Sequence, residues 1–131
     1  MIFVDASALV AICKAEPDRP ALLDRLIDHD RAFWSPMACW EAVSALAHSY
    51  KLPIATALAE VRHTAARLRL EMVAIAQDEL DAALAAYQRY GKGSGHPARL
   101  NMGDCFAYAC ATTHHAALLY KGDDFSHTDL A

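Results

Sequence analysis

Residues 1–10 read MIFVDASALV, and the fold turns on how that stretch is parsed. Met1 to Val4 is a short run of apolar, β-favouring residues that stops at Asp5, and Ser7 is a suitable N-cap for a helical stretch from Ala8 to Ala15. A buried strand running straight into a helix, with a carboxylate at the join, opens an α/β unit. In open α/β sheets ligands bind beyond the carboxyl ends of the strands, so Asp5 stands where chemistry is expected.

The same alternation continues along the chain. Glu16-Pro17-Asp18-Arg19-Pro20 breaks the first helix, and Leu22, Leu23, Leu26 and Ile27 recur with a period near 3.6, which predicts a second. Ala32 to Trp34 reads as the next buried strand. Ser35-Pro36 starts a helix well, with serine as cap and proline in the first turn, and MACWEAVSALAHSY continues it. Ile54, Leu58, Val61, Ala65 and Leu68 mark a further helix, Met72 to Ala76 a third strand, and Leu80, Ala83, Leu84 and Tyr87 a helix that Gly91 ends. After the loop GKGSGHPAR, Asn101 caps a helix from Met102 to about His114, and Ala117 to Tyr120 is the last clear strand. The tail, KGDDFSHTDLA, reads as a polar loop with one terminal edge strand. Strands separated by helices imply parallel pairing with helices on both faces, a three-layer α/β domain spanning residues 1–131.

Composition narrows the possibilities. The 131 residues carry 12 Lys and Arg against 16 Asp and Glu, a net charge of −4. That balance excludes general adhesion to nucleic acid, but four acids gathered on metal would leave the remainder neutral. The N-terminus has no basic segment and its apolar run is interrupted by Asp5, so the chain is expected in the cytosol, with no membrane partner. Cys13, Cys39, Cys105 and Cys110 form no CxxC pair and read as reduced core residues. A zinc site from Cys105, Cys110, His114 and His115 is set aside, because all four fall on one predicted helix and no second ligand pair exists.

Several acids occupy positions where carboxylates do chemistry. Asp5 follows the first strand, Asp123 and Asp124 follow the last clear one, and Asp104 lies in the first turn of the helix that feeds that strand. Each has a plain structural role open to it, as a turn, a cap or a dipole partner. Glu41 is harder to account for, because CWEAVSALA surrounds it with apolar residues and no arginine or lysine lies one helical turn away. A carboxylate drawn out of water without a partner is costly or takes a proton. Four such acids converging would repel one another unless a hard cation joined them, and oxygen-only ligation selects Mg²⁺ or Mn²⁺. In their absence at least one carboxyl is expected to hold a proton above the ordinary pKa. Ions of this kind in a carboxylate cleft hydrolyse phosphodiesters.

The opening IFVDASAL, the glutamate in CWEAVSAL, the segment HPARLNMGDCFAYACA and the closing LLYKGDDFSHTD together resemble the PIN-domain proteins, and more closely the VapC toxins of bacterial toxin–antitoxin systems. The resemblance covers the whole chain. It implies a PIN fold, a Mg-dependent ribonuclease acting on RNA, and Asp5, Glu41, Asp104 and Asp123 as the acidic quartet, with Ser7 as a supporting hydroxyl. Many relatives carry threonine where Ala6 stands, and many separate the final acids as D-x-D. Asp123 is preferred here for the fourth position, with Asp124 the alternative. The resemblance further implies an antitoxin protein as partner and a homodimer, for which the apolar helices Ala8 to Ala15 and Ile54 to Leu68 offer surface.

Arg89, Lys92, His96 and Arg99 line the glycine-containing loop and are candidates for holding RNA phosphates. Trp34 and Trp40 read as core packing rather than base stacking. A haloacid dehalogenase-type phosphatase would need a second aspartate where Ser7 stands. The competing readings within the fold are a nuclease of RNA maturation and a PIN module that binds RNA or protein without cutting.

Overall fold

The computed structural model describes Met1–Ala131. Four strands, β1 (Ile2–Val4), β2 (Ala32–Trp34), β3 (Leu70–Met72) and β4 (Ala117–Leu119), form one parallel sheet in the order β3-β2-β1-β4. The six helices are α1 (Ala6–Cys13), α2 (Arg19–Ile27), α3 (Pro36–Tyr50), α4 (Ile54–Arg67), α5 (Gln77–Tyr90) and α6 (Met102–Thr113). No helix is long and apolar enough to cross a membrane.

The period-2 geometry of a strand sends alternate side chains to opposite faces, and the core divides accordingly. Ile2, Val4, Trp34 and Leu119 pack with buried residues of α1 to α4, whereas Phe3, Phe33 and Leu118 pack with α5 and α6. The sheet is thus the middle of three layers. Cys105 and Cys110 are buried in the second cluster, and all four cysteines are free thiols.

Five details differ from the sequence reading. Helix α1 starts at Ala6 because the Asp5 carboxylate accepts the Ser7 backbone N–H, so Asp5 and not Ser7 is the N-cap. Strand β3 lies at Leu70–Met72 rather than Met72–Ala76: Arg69, at φ 55°, turns the chain out of α4 directly into the sheet. The residues after it run extended, and Val73 and Ile75 pack against the second cluster without a strand partner beyond the Val73 N–H to Trp34 carbonyl bond. No terminal edge strand forms. The tail instead folds into turns pinned by buried Phe125 and by Thr128, whose Oγ1 donates to the Phe125 carbonyl at 2.8 Å.

The fourth difference concerns Trp40. Trp34 is 6% exposed and belongs to the core, but Trp40 is 69% exposed. The buried stripe of α3 runs through Ala38, Ala42, Val43, Leu46 and Ala47, and Trp40 faces away from it with Ser44 and His48. The expected apolar surface is also reduced: of the large apolar residues of α1 and α4 only Ile54 is exposed, at 63%. Helix α1 turns Ala8, Leu9, Ala11 and Ile12 into the core and α4 turns Ala57, Val61 and Ala65 inward, while Leu80, Leu84 and Tyr87 of α5 and Met102 of α6 stand exposed around one groove.

Candidate active site

β1 and β4 are neighbours in the sheet, so the ends of both deliver their following residues to one edge. Asp5 leaves β1 with its N–H bonded to the Leu119 carbonyl at 2.9 Å. Its side chain is 5% exposed, and Oδ2 accepts from Ser7 N at 3.0 Å and from Ser7 Oγ at 2.5 Å. The Ser7 hydroxyl oxygen in turn accepts the Lys121 backbone N–H at 3.0 Å, which ties the loop after β4 to the end of β1. The Lys121 ammonium continues that tie by pairing with Glu16 and Asp18 of the α1–α2 connection.

Asp104 arrives from α6. It sits in a capping box: Asn101 Oδ1 accepts the Asp104 N–H at 2.8 Å, and Asp104 Oδ2 accepts the Asn101 N–H at 3.1 Å. This satisfies two of the donors that a helix start leaves open and aims the carboxylate out of the first turn. Asp104 is 8% exposed. Glu41 reaches the same place from the second turn of α3 and is half-buried rather than fully enclosed. Its carboxylate lies against the α-carbon of Gly103, where any Cβ would overlap it. Glycine at 103 leaves room for this approach, which any larger residue would answer by displacing the Glu41 carboxylate, and sequence patterning offers no reason to look for it.

Burial is the first cause of the charge state of all three acids. Asp5 is raised above the ordinary carboxylate value by desolvation, with the Ser7 hydrogen bonds pulling the other way and Asp124 adding repulsion. Glu41 is pushed up to about 7 by desolvation and then by the charges of Asp5 and Asp104. Asp104 is raised to about 6, again by desolvation first, with repulsion from Asp124 and Asp5 partly countered by the Asn101 N–H and by Lys92. Three acids from three separate elements thus act on one another through a shared, partly dry space.

Asp123 and Asp124 are both exposed on the loop after β4. Only Asp124 bears on the charge of Asp5 and Asp104. Asp123 contributes its carbonyl to the turn, accepting from Ser126 N at 3.1 Å and Ser126 Oγ at 2.6 Å. Among the basic candidates, Lys92 acts on Asp104. Arg89 is turned away, with its guanidinium over the Tyr90 ring at 4.6 Å and 4.0 Å from Asp129. Arg99 and His96 belong to an exposed surface beyond Gly93 and Gly95.

The donor set fits a hard divalent cation in chemistry: oxygen only, mutually repelling, and held partly protonated by burial. As the side chains lie, no three His, Cys, Asp or Glu groups are gathered closely enough to hold one ion together. Two of the carboxylates, Asp5 and Asp104, are occupied with helix caps.

Comparison with known proteins agrees with this architecture. The family model for the PIN domain matches residues 2–130. A VapC ribonuclease of Rhizobium meliloti (strain 1021) is 41% identical over 99% of both chains. Ribonuclease VapC30 of Mycobacterium tuberculosis (strain ATCC 25618 / H37Rv) is 40% identical, over 98% of this chain and 95% of that one. Among solved structures, a toxin–antitoxin complex from Klebsiella pneumoniae superposes with a TM-score of 0.71 at 17% identity, covering 99% of this chain and 94% of that one. VapC20 of Mycobacterium tuberculosis, a sarcin-ricin loop cleaving toxin, gives 0.70 at 18% identity over 96% and 93%. At such identities the structures speak for the fold, while the family model and the sequence relatives, spanning nearly the whole chain, establish descent. This chain belongs to the PIN-domain family, alongside relatives that are VapC ribonucleases.

Proposed function

We propose that the protein is an endoribonuclease, the toxin of a toxin–antitoxin pair, which hydrolyses RNA phosphodiester bonds at the acidic edge of the sheet. The observation that carries this reading is the convergence of Asp5, Glu41 and Asp104 from β1, α3 and α6: Glu41 lies against Gly103 beside Asp104 and feels the charges of Asp5 and Asp104, and Asp104 feels that of Asp5. Like charges arranged this way have no purpose in stability and a clear one in binding a cation beside a phosphate. Near-complete coverage by relatives named VapC ribonucleases supports RNA as substrate and an antitoxin as partner.

In this reading Asp5, Glu41, Asp104 and Asp124 hold Mg²⁺ or Mn²⁺, and Asp124 replaces Asp123 because its charge is the one felt by Asp5 and Asp104. A divalent ion bound there supplies an activated water and stabilises the leaving oxygen. Ser7 keeps Asp5 oriented, Asn101 keeps Asp104 oriented, and Lys92 offers a charge to a phosphate beside Asp104. Glu41 and Asp104 must lose their protons before they can ligate, so cleavage rises with pH through the range of about 6 to 7 set by these two groups. A second copy of the chain is a further partner in this reading, which light scattering tests.

The experiment is incubation of the purified protein with total RNA, with and without Mg²⁺, followed by mapping of the cut ends. Discrete cuts that require the ion and stop with EDTA are expected. Cleavage undiminished in excess EDTA would remove the metal from this reading, and no cleavage under any condition would leave an RNA- or protein-binding module.

A further inference from the structure

Trp40 is the largest side chain exposed near the acids, and its surroundings differ from those of the other exposed apolar residues. Leu80, Leu84, Tyr87 and Met102 share a groove whose lining is nearly all apolar. Trp40 lies instead in an open cleft with Glu41, Ser44, Ala45 and His48. The cleft follows from helix geometry: positions 40, 44 and 48 lie above one another on α3, and 41 and 45 form the adjacent row. One row therefore carries an indole, a hydroxyl and an imidazole away from the candidate catalytic glutamate along exposed helix surface.

An indole face beside polar groups matches a nucleobase, which presents an apolar face and a hydrogen-bonding edge. An apolar peptide would leave Ser44, His48 and Glu41 unpaired. Because Trp40 and Glu41 are consecutive and line the same cleft, a base seated there belongs to a nucleotide close to the scissile phosphate. We propose that Trp40 is a stacking platform for an unpaired base of the RNA substrate, with Ser44 and His48 along the path of the strand. This rests on the ribonuclease reading above and adds a binding subsite to it. Stacking of this kind tolerates any base, so the subsite anchors single-stranded RNA without itself dictating sequence.

The chain has two tryptophans, and since Trp34 is 6% exposed against 69% for Trp40, quenching of solvent-exposed emission reports on Trp40 alone. The test titrates Asp104→Asn protein, which holds RNA without cutting it, with a short single-stranded RNA and with an abasic oligomer of the same length. The RNA is expected to quench the emission and the abasic oligomer to leave it. In parallel, Trp40→Ala should weaken RNA binding roughly 5- to 100-fold and raise KM with kcat little changed, while Trp40→Phe retains most of the affinity.

Equal quenching by the abasic oligomer, or wild-type RNA affinity in Trp40→Ala, overturns the proposal while wild-type cleavage of total RNA leaves the ribonuclease reading standing. A change in molecular mass on light scattering in Trp40→Ala, with RNA affinity intact, makes the surface a protein interface and also overturns it. Failure of the wild-type protein to bind or cut RNA removes both readings together.

Discussion

Two groups of polar side chains in this molecule treat a carboxylate in opposite ways. At the edge of the sheet Asp5, Glu41 and Asp104 are drawn from water and set against each other's charge, and all three are raised. On the α5–α6 side, Asp129 of the tail accepts the Tyr108 hydroxyl at 2.6 Å and the Tyr90 hydroxyl at 3.2 Å, with Arg89 beyond. Asp129 is lowered, first by the Tyr108 hydrogen bond, while desolvation opposes this more weakly. The second site shows what a structural acid looks like here: half-exposed and supplied with donors. At the first, the donors from Ser7 and Asn101 are outweighed by desolvation and repulsion, and no hydrogen bond lowers Glu41. An acid satisfied by hydrogen bonds fastens a chain, whereas acids left in repulsion are waiting for a counter-charge.

The comparison breaks most decisively at Asp104. Asp104→Asn is expected to lower RNA cleavage by about 100-fold or more, the scale of losing one preorganised electrostatic partner, and Glu41→Gln should do the same. Neither should harm the fold. A carboxyl whose folded pKa lies above its unfolded one makes the folded state bind more protons, so stability falls as pH rises through the interval between them. For Glu41 that interval runs from 4.5 to about 7 and for Asp104 from 3.8 to about 6. In metal-free buffer the wild type should therefore melt higher at mildly acidic pH than at neutral pH, and each amide variant should flatten that slope. An Asp104→Asn protein that cleaves RNA at the wild-type rate would place the chemistry elsewhere.

A smaller effect is expected at Gly103, which contributes no charge. Gly103→Ala puts a methyl group where the Glu41 carboxylate lies, and the flexible end of that side chain must move. The helix gains about 0.5–1 kcal/mol of propensity, so thermal stability should hold or rise. Activity should drop roughly 10- to 100-fold because one ligand is displaced. Melting and cleavage assays on one preparation separate the two; full activity would show that Glu41 does not need its place against α6.

The smallest effect is expected from Asp129→Asn, which tests the satisfied site. It should cost about 1 kcal/mol, or roughly 4 °C, and leave the cleavage rate unchanged below both melting points. The pH dependence runs opposite to that of the acidic edge. Asp129 is lowered from 3.8, so its contribution is complete above that pH and is lost as pH falls through its lowered value. The variant's deficit should accordingly vanish in strong acid. A loss of cleavage without loss of stability would mean that the tail steers the Asp124 loop.

The layered α/β fold was legible from residues close together in the chain. The unbroken apolar runs IFV and AFW report strands with two buried faces, the Ser35-Pro36 and Asn101 signals start α3 and α6, and the acids at strand ends and helix starts stand where such sheets bind ligands. Asp5, Glu41 and Asp104 stand out as candidates on those grounds, since an unpaired acid in an apolar helix or at a strand end is conspicuous in sequence. Which of Asp123 and Asp124 acts on the charge of Asp5 and Asp104 is not legible there, because both follow the same glycine and differ only in which way the turn sends them. Nor was the outward placement of Trp40, since an alanine-rich helix shows little contrast between its faces and tertiary contact decides which one is covered. Arg89 was grouped with Lys92 by proximity in sequence, yet Tyr90, Tyr108 and Asp129 draw it to the other side. The Glu41–Gly103 approach joins positions 62 residues apart by number and leaves no periodic trace in either segment. Local sequence determined the elements, their order and the chemical types at their ends. The packing of α3 against α6 and the β1–β4 pairing decided which of those ends meet, because repulsion and burial depend on distances in space that only the folded chain defines.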